Sequence, residues 1–237
     1  MKINRKILTL LTIVLLSALP VTSRAQEDTP DSTASDSDTN APPTLKKLMA
    51  ESHEVTNTVG IVLVKISPTL WAGKYEVTQA AYQKVMGSNP SAFRGRNHPV
   101  DSVTWNDAMA FCKKLTEQEQ TAKELPPGYV YTLPTQAQWE RLVDDASLDD
   151  AVMSLHPQRR SSTAPVGSLG ANSLGLYDTR GNVMEWCLDP QDKLYRVLRG
   201  GAWNTYISIN ARLEFREYSA PDKTKNDYGF RVVLEPQ

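Results

Sequence analysis

Histidine and cysteine are scarce in this chain, which limits the catalytic and metal centres that it can build. Its 237 residues include three histidines, His53, His98 and His156, and two cysteines, Cys112 and Cys187. The histidines fall in linker or loop regions without ligand-like spacing, so the sequence predicts no histidine metal centre. No Ser/His/Asp or Cys/His set of the kind that activates a nucleophile can be assigned either.

An excess of basic residues is also lacking once the charge is divided along the chain. Residues 1–25 carry four basic and no acidic side chains, which leaves 22 basic and 27 acidic residues, a balance of −5, in the rest. From Lys46 onward the balance is 22 to 22, because five acids precede it: Glu27, Asp28, Asp31, Asp36 and Asp38. A neutral folded part predicts no nucleic-acid partner and no basic membrane-binding face.

The first 25 residues have the pattern of a secretory signal peptide. Lys2, Arg5 and Lys6 precede an apolar stretch of 13 residues, 7–19, and Ser23-Arg-Ala25 resembles a small-x-small cleavage site. A spanning helix needs about 20 apolar residues, so an uncleaved anchor is the less favoured alternative. No cysteine that could carry a lipid follows the apolar stretch. We therefore predict an exported protein, periplasmic or secreted, with no stable membrane span after cleavage.

A disordered acidic Ser/Thr/Pro linker is predicted between the signal peptide and the folded domain, over residues 26–56. Residues 26–44 contain almost no large apolar side chain, so they cannot bury enough surface to fold. Residues 45–52 can add one short helical turn. The simplest interpretation of the linker is a solvated spacer without a partner of its own.

Short apolar runs and capped helices predict an α+β domain over residues 57–237, with a large share of irregular loop. Threonine N-caps at Thr78, Thr104 and Thr135 begin three predicted helices, and the last two fit the capping-box pattern. The predicted strands fall at 60–66, 71–77, 129–132, 195–199 and 229–234.

The two cysteines leave two alternatives open. Cys112 falls on the apolar face of the predicted helix after Thr104, and Cys187 ends the stretch 175–187. An even pair in an exported protein allows a Cys112–Cys187 disulfide. A buried free thiol is the other interpretation, because unpaired cysteine behaves as a small apolar side chain.

The stretch 175–187 combines glycines, acidic side chains and aromatic residues, which is typical of an irregular loop held in a core. Asp178 and Glu185 flank Gly181 and Val183, so two carboxylates bracket a turn with exposed backbone carbonyls. Hard cations such as calcium bind this kind of oxygen ligand.

Seven motifs occur in the order of one known family. They are Gly73-Lys-Tyr-Glu-Val-Thr-Gln79, Gly87-Ser-Asn-Pro-Ser-Ala-Phe93, Pro99-Val-Asp-Ser-Val-Thr-Trp-Asn-Asp-Ala108, Leu133-Pro-Thr-Gln-Ala-Gln-Trp-Glu140, the run from Gly175 to Trp186, Arg199-Gly-Gly-Ala-Trp203 and Gly229-Phe-Arg231. With these motifs the chain resembles the sulfatase-modifying-factor family, whose founding member is the formylglycine-generating enzyme. The resemblance covers about residues 57–234. It implies an α+β fold that is C-type-lectin-like, of the formylglycine-generating enzyme subtype.

The resemblance also implies a copper site, from which this chain departs. Family enzymes oxidise a target cysteine with copper held by two cysteines, and those positions fall on Thr205 and Asn210. Neither side chain can supply the thiolate that selects Cu(I). Ala202 also stands in place of a serine, and Met184 in place of a tryptophan. We therefore predict that copper does not bind, and keep formylglycine formation, or another oxidation by a divergent mechanism, as the alternative.

A structural calcium site is implied for the turn in the 175–187 stretch. Carried over by position, Asp178 and Glu185 would bind through their side chains, and Gly181 and Val183 through their backbone carbonyls. An acidic side chain at Asp178 suits a hard cation. The alternative is that Glu185 caps loop amides without a metal.

The leading functional hypothesis is a non-copper binding or scaffolding domain for an unidentified protein, peptide or glycan. The fold would display the segment 203–228 as a ligand surface, and aromatic and arginine side chains beside polar groups are typical of such surfaces. The candidate ligand-binding residues are Trp203, Asn204, Tyr206, Arg212 and Arg216. For Arg212 and Arg216 the alternative is that they tie the loops to the core.

Overall fold

The computed structural model describes residues 43–155 and 159–237. The helices and strands of these two ranges are, in chain order, α1 (Leu45–Glu51), β1 (Glu54–Thr56), β2 (Val62–Lys65), β3 (Trp71–Gly73), α2 (Gln79–Met86), α3 (Trp105–Thr121), β4 (Tyr129–Thr132), α4 (Gln136–Val143), β5 (Met184–Pro190), β6 (Arg196–Arg199), β7 (Glu217–Ser219), β8 (Tyr228–Gly229) and β9 (Val233–Pro236). A 3₁₀ turn, Ser208–Ala211, lies between β6 and β7.

Two sheets organise these elements. The first has five strands in the order β1-β2-β3-β9-β4, and all of its neighbours are antiparallel. The second has four strands in the order β7-β6-β5-β8, in which β5 and β8 are parallel and the other neighbours are antiparallel. Only residues 230–232 separate β8 from β9. The chain therefore passes directly from one sheet to the other there, and Arg231 lies at the crossing.

The helices begin at the threonines that the sequence predicts. The side chain of Thr78 accepts a backbone N–H of α2, and Thr104 and Thr135 form complete capping boxes with Asp107 and Gln138. A capping box pairs two backbone donors that the first helical turn leaves free. These short-range signals explain why the helix starts could be predicted from sequence alone.

An aromatic core joins the helices to the C-terminal strands. The ring of Phe111 in α3 stacks on Tyr82 in α2 with centroids 5.6 Å apart, and it meets Phe230 edge to face at 5.3 Å. Trp186 in β5 packs edge to face with Tyr228 in β8 at 5.3 Å. Such aromatic pairs contribute about 0.5–1.5 kcal/mol beyond the burial of their area. The core thus holds β5 and β8 in a fixed arrangement.

The folded domain begins earlier than the predicted boundary at residue 57. β1 pairs with β2, and α1 buries Leu45 and Met49 in the main core. The backbone N–H of Leu45 also donates to the carboxylate of Glu124. The predicted linker, 26–56, is therefore too long at its C-terminal end, because paired backbone and buried side chains offset the entropy lost on ordering.

The predicted signal peptide, 1–25, and residues 26–42 of the linker lie outside the described residues. Within the two described ranges, no helix is both long enough and apolar enough to cross a membrane.

Both cysteines are free thiols buried in different elements. Cys112 lies in α3 and Cys187 in β5. Burial raises the pKa of each thiol, and the nearby carboxylate of Glu185 raises that of Cys187 further. Of the two alternatives, the structure shows free core thiols and no disulfide. A buried thiol with a raised pKa is a poor nucleophile.

Candidate functional site

A buried glutamate from the first sheet region holds the turn 177–184. Glu76 is 2% exposed, and its carboxylate accepts the backbone N–H of Val183 at 2.9 Å and the side-chain amide of Asn182 at 2.7 Å. It thereby pairs two donors of an irregular loop inside the core, where unpaired polar groups are costly. Glu76 is not among the predicted site residues, because its one signal in the sequence is an acidic residue inside the strand-like run 71–77.

The backbone of this turn is left-handed at several positions. Asp178, Gly181 and Asn182 have φ values of 52°, 87° and 58°. A Cβ placed on Gly181 would lie 2.7 Å from the carbonyl oxygen of Val152. Glycine is therefore required at Gly181 both for its φ and for the close approach of another backbone segment.

Glu185, one of the predicted metal ligands, forms a buried ion pair. Its two carboxylate oxygens accept the Nε–H of Arg231 at 2.8 Å and 3.0 Å, and one of them accepts the indole N–H of Trp139 at 2.9 Å. Arg231 also donates to the carbonyl oxygens of Gly73 and Tyr177. The guanidinium thus joins β5, the turn and the first sheet.

The buried charges of this region do not balance. Three carboxylates, those of Glu76, Asp178 and Glu185, interact with the single guanidinium of Arg231. Burial, followed by the proximity of Asp178 and Glu185, raises the pKa of Glu76 well above its ordinary value, and burial also raises the pKa of Asp178. Excess negative charge in an interior must be removed by protons or balanced by a cation.

The carboxylates predicted to bind calcium, those of Asp178 and Glu185, are engaged in other contacts. One oxygen of Asp178 accepts the backbone N–H of Gly167 at 2.6 Å. Over residues 43–155 and 159–237, no three His, Cys, Asp or Glu side chains form a metal-binding group. A calcium ion would therefore need the carbonyl oxygens of Gly181 and Val183 together with the two carboxylates, a donor set of the kind that calcium accepts.

The two positions assigned to copper lie at one cavity. Thr205 and Asn210 both line a cavity of about 190 Å³ that Met184 also contacts. A Cβ on Gly201 would lie 3.2 Å from the hydroxyl of Thr205 and 3.5 Å from the backbone carbonyl oxygen of Asn210, so both residues approach Gly201. The Thr205 hydroxyl accepts the backbone N–H of Ala202 at 2.9 Å. Hydroxyl and amide groups are hard donors, so Thr205 and Asn210 cannot supply the soft thiolate pair that favours Cu(I), and the thioether of Met184 is the one soft donor in the lining.

The cavity combines aromatic and charged side chains. Its aromatic lining consists of Tyr206, Phe215 and Tyr228, and its charged lining consists of Glu217, Lys225 and Asp227. The ammonium group of Lys225 lies 3.2 Å from the Glu217 carboxylate and 4.9 Å from the centroid of the Tyr228 ring. Hydrogen bonding to Tyr228 and to Glu217 raises the pKa of this lysine, which therefore stays charged.

Two of the five predicted ligand-binding residues line this cavity. The side-chain N–H of Asn204 donates to the carboxylate of Asp227 at 2.8 Å, and the Tyr206 side chain is 76% exposed. Trp203 does not line it, since its ring packs edge to face on Phe93 at 5.1 Å.

The two predicted arginines lie outside the cavity lining. Arg216 donates to Gln136 at 2.9 Å and to Glu140 at 3.2 Å, both in α4, and the buried Arg199 shares Glu140 at 2.8 Å. The contacts of Arg216 are therefore those of a residue that ties the loop to the core. Arg212 is exposed.

The family model for the sulfatase-modifying factor enzyme 1-like domain matches residues 51–147 and 146–236. The chain belongs to the FGE-sulfatase family. The match runs from the end of α1 to the end of β9, so it includes both sheets, the turn 177–184 and the cavity. The predicted family membership is confirmed.

Curated relatives cover a large part of the domain. The chain is 28% identical to the chaperone protein LppX from Paenibacillus barcinonensis, in a match that covers 69% of this chain and 79% of that protein. It is also 28% identical to the formylglycine-generating enzyme from Thermomonospora curvata, in a match that covers 66% of this chain and 62% of the enzyme. The matched region is thus less than two thirds of that enzyme.

A solved structure supports the fold. The variable protein 1 of Treponema denticola is similar with a TM-score of 0.62 and 25% identity, and the match covers 78% of this chain and 92% of that one. Together with the short helices and the two small sheets, this similarity confirms the predicted C-type-lectin-like fold.

Within the FGE-sulfatase family, this chain has a divided site. The acidic turn 177–184 is joined to the core by Glu76 and Arg231. The neighbouring cavity carries Thr205 and Asn210 at the copper positions.

Proposed function

We propose that this chain is an exported, non-copper member of the FGE-sulfatase family that binds a polypeptide ligand at the cavity lined by Thr205 and Asn210. The chemistry of that cavity carries the proposal. A hydroxyl and an amide occupy the positions where thiolates would be needed, and aromatic and charged side chains surround them. Such a lining can recognise a ligand through packing and hydrogen bonds, but its one soft ligand is the thioether of Met184, and it lacks the thiolate pair that family enzymes use for copper.

The size of the cavity favours one side chain of a peptide over a whole small molecule. Its volume of about 190 Å³ is below the roughly 300–1,000 Å³ of small-molecule pockets. The exposed side chains of Tyr206, Ile207 and Ile209 extend the surface next to it, and a polypeptide lying across them would bury apolar area. That one relative is named a chaperone protein supports the choice of a polypeptide ligand.

Binding can be tested with an immobilised array of random peptides and a parallel glycan array, probed with the purified domain. We expect peptide binding that is lost in Tyr206→Ala and Asn204→Ala. The matched control is Leu194→Ala, which removes another exposed apolar side chain that does not line the cavity. Binding to glycans alone, or equal losses in all three variants, would contradict the proposal.

Export is the second part of the proposal, and the signal-like pattern of residues 1–25 supports it. Expression of the whole chain in a bacterium, followed by fractionation and N-terminal sequencing, tests it. We expect a periplasmic or secreted product that begins near Gln26. A full-length cytosolic product would contradict export and leave the binding proposal to its own test.

Formylglycine formation is the second candidate function, because a family enzyme is 28% identical to the chain. The purified domain is incubated with copper, oxygen and a sulfatase-type cysteine peptide, and the aldehyde is sought by mass spectrometry. We expect no conversion. Turnover comparable to that of a relative with the cysteine pair would replace the binding proposal by the enzymatic one.

We further propose that calcium stabilises the turn 177–184. Asp178 and Glu185 would supply carboxylate oxygens, and Gly181 and Val183 carbonyl oxygens. The ion would offset the excess of buried carboxylates over Arg231. Its role would be structural.

A further inference from the structure

One carboxylate in the cavity lining has hydrogen-bonding capacity that the domain does not use. Asp227 lines the cavity beside Asn204, whose side-chain N–H donates to one of its oxygens, Oδ2, at 2.8 Å. The other oxygen, Oδ1, is buried and has no hydrogen-bond partner in the described part of the chain. A carboxylate can accept several hydrogen bonds, and a buried acceptor without a partner is costly. The carboxylate of Asp227 is therefore incompletely paired.

The backbone around Asp227 is held in place by the second sheet. Its carbonyl oxygen accepts the backbone N–H of Met184 at 2.7 Å, next to the parallel pairing of β5 and β8. The following residue, Tyr228, begins β8 and donates its backbone N–H to the carbonyl oxygen of Lys225 at 3.1 Å. The carboxylate is thus carried by the end of a strand. A group that is already positioned in this way lowers the entropy cost of binding a ligand.

The charges of the cavity lining leave one carboxylate without a cation. The lining contains two acidic residues, Glu217 and Asp227, and one basic residue, Lys225. The ammonium group of Lys225 pairs with Glu217 at 3.2 Å. Over residues 43–155 and 159–237, Asp227 takes part in no salt bridge. The cavity therefore presents a negative charge that a cationic ligand can balance.

The aromatic side chains of the lining also favour a cation. Tyr206, Phe215 and Tyr228 line the cavity together with Asp227. The faces of aromatic rings attract cations, and the ammonium group of Lys225 already lies 4.9 Å from the centroid of the Tyr228 ring. The Tyr206 side chain is exposed, so its ring is available to a ligand. Aromatic rings also pack well against the methylene chains of lysine and arginine.

We infer that the cavity takes a lysine or arginine side chain of the polypeptide ligand, with the cationic head against the carboxylate of Asp227. The inference rests on the proposed function, because it names the side chain that the bound polypeptide inserts. Ammonium and guanidinium groups form charge-assisted hydrogen bonds with carboxylates, and such a donor would complete the pairing of Asp227. An acidic side chain would meet the like charges of Asp227 and Glu217, and an apolar one would leave Asp227 unpaired.

A peptide library with one varied position tests the inference on the purified protein. Short peptides of mixed flanking sequence carry different amino acids at the central position, including citrulline as a neutral analogue of arginine and norleucine as an apolar analogue of lysine. We expect peptides with a central lysine or arginine to bind about ten-fold more tightly than those with norleucine or citrulline, because a partly buried charge pair contributes more than an exposed one. This comparison needs no variant of the protein.

Two variants then assign the preference to one carboxylate. Asp227→Asn removes the charge but keeps the shape and an acceptor for Asn204, so the preference for a basic central residue should disappear while peptides with apolar centres bind as before. The matched control is Asp222→Asn, which removes a carboxylate that is 66% exposed and does not line the cavity, and it should keep the preference. Thermal melting of both variants verifies that they are folded.

The outcomes separate this inference from the proposed function on which it rests. Equal binding of peptides with charged and neutral centres, or a preference for acidic centres, would overturn the inference and leave peptide binding in place. A preference for basic centres that persists in Asp227→Asn would also overturn it, because the cation would then pair with another group. If no peptide binds at all, both the proposed function and the inference fail.

Discussion

Glu185 and Arg231 form an ion pair at 2.8 Å in which the side chains are 1% and 0% exposed. Glu185 belongs to β5, and Arg231 lies between β8 and β9, so the pair connects the two sheets directly. Arg231 also donates to Tyr177 at the start of the acidic turn. This ion pair therefore links the turn to both sheets, in addition to the contact of Glu76 with Val183.

Breaking this pair from one side should be strongly destabilising. Arg231→Met leaves the carboxylate of Glu185 buried without its cation, and removal of one partner of a buried pair costs about 3–5 kcal/mol. The free energy of unfolding in urea measures the loss. Lys113→Met is the control, because Lys113 and Glu117 are 80% and 61% exposed and 3.9 Å apart. A loss at Arg231 as small as that of the control would contradict the assigned role.

Gly181→Ala should reduce the melting temperature more than Gly87→Ala does. Both glycines have a positive φ, 87° and 82°, so both substitutions carry the left-handed strain of about 1–2 kcal/mol. At Gly181 the new Cβ would also lie 2.7 Å from the Val152 carbonyl oxygen, whereas no atom lies within 4 Å at Gly87. Calorimetry separates the two effects, and equal melting temperatures would show that the Val152 contact relaxes freely.

Calcium should raise the melting temperature of the wild-type domain, and a chelator should reverse the rise. At a calcium concentration 100 times its dissociation constant, binding would add about 2.7 kcal/mol to the free energy of unfolding. The variant Asp178→Ala should lose the response, while Asp222→Ala, which removes an exposed carboxylate elsewhere, should keep it. Identical melting of the wild type with calcium and with chelator would remove the calcium proposal.

Thiolates placed at the two copper positions should create a Cu(I) site. Thr205 and Asn210 line the same cavity, so the double variant T205C/N210C places two soft ligands there. We expect it to bind one Cu(I) per chain in competition with a colorimetric chelator, whereas the wild type and each single variant compete poorly. If the wild type competes as well as the double variant, then copper binds elsewhere and the non-copper assignment is wrong.

Both native cysteines should be unreactive until the domain unfolds. Burial raises the pKa of the thiols of Cys112 and Cys187, so a thiol reagent such as 5,5′-dithiobis(2-nitrobenzoic acid) should react slowly in buffer. In urea, without a reductant, it should report two thiols per chain. A count of zero in urea, restored by prior reduction, would reveal a disulfide and contradict the structure.

Local sequence patterns determined the family, the fold class and most of the elements. The capping boxes at Thr104 and Thr135 involve residues three positions apart, so their partners are visible in the sequence itself. The order of the motifs is equally a property of the chain. These signals predicted the helix starts and the position of the acidic turn without any knowledge of contacts.

Only the tertiary structure decided which side chains meet. Glu76 binds the turn through Val183, 107 residues further along the chain, and Arg216 reaches α4 from 76 to 80 residues away. The tertiary structure also decided that residues 54–56 form β1. Their own strand pattern is weak, but β2 supplies their hydrogen bonds in the first sheet. Contacts of this range depend on how the sheets and helices pack, and no short-range pattern records them.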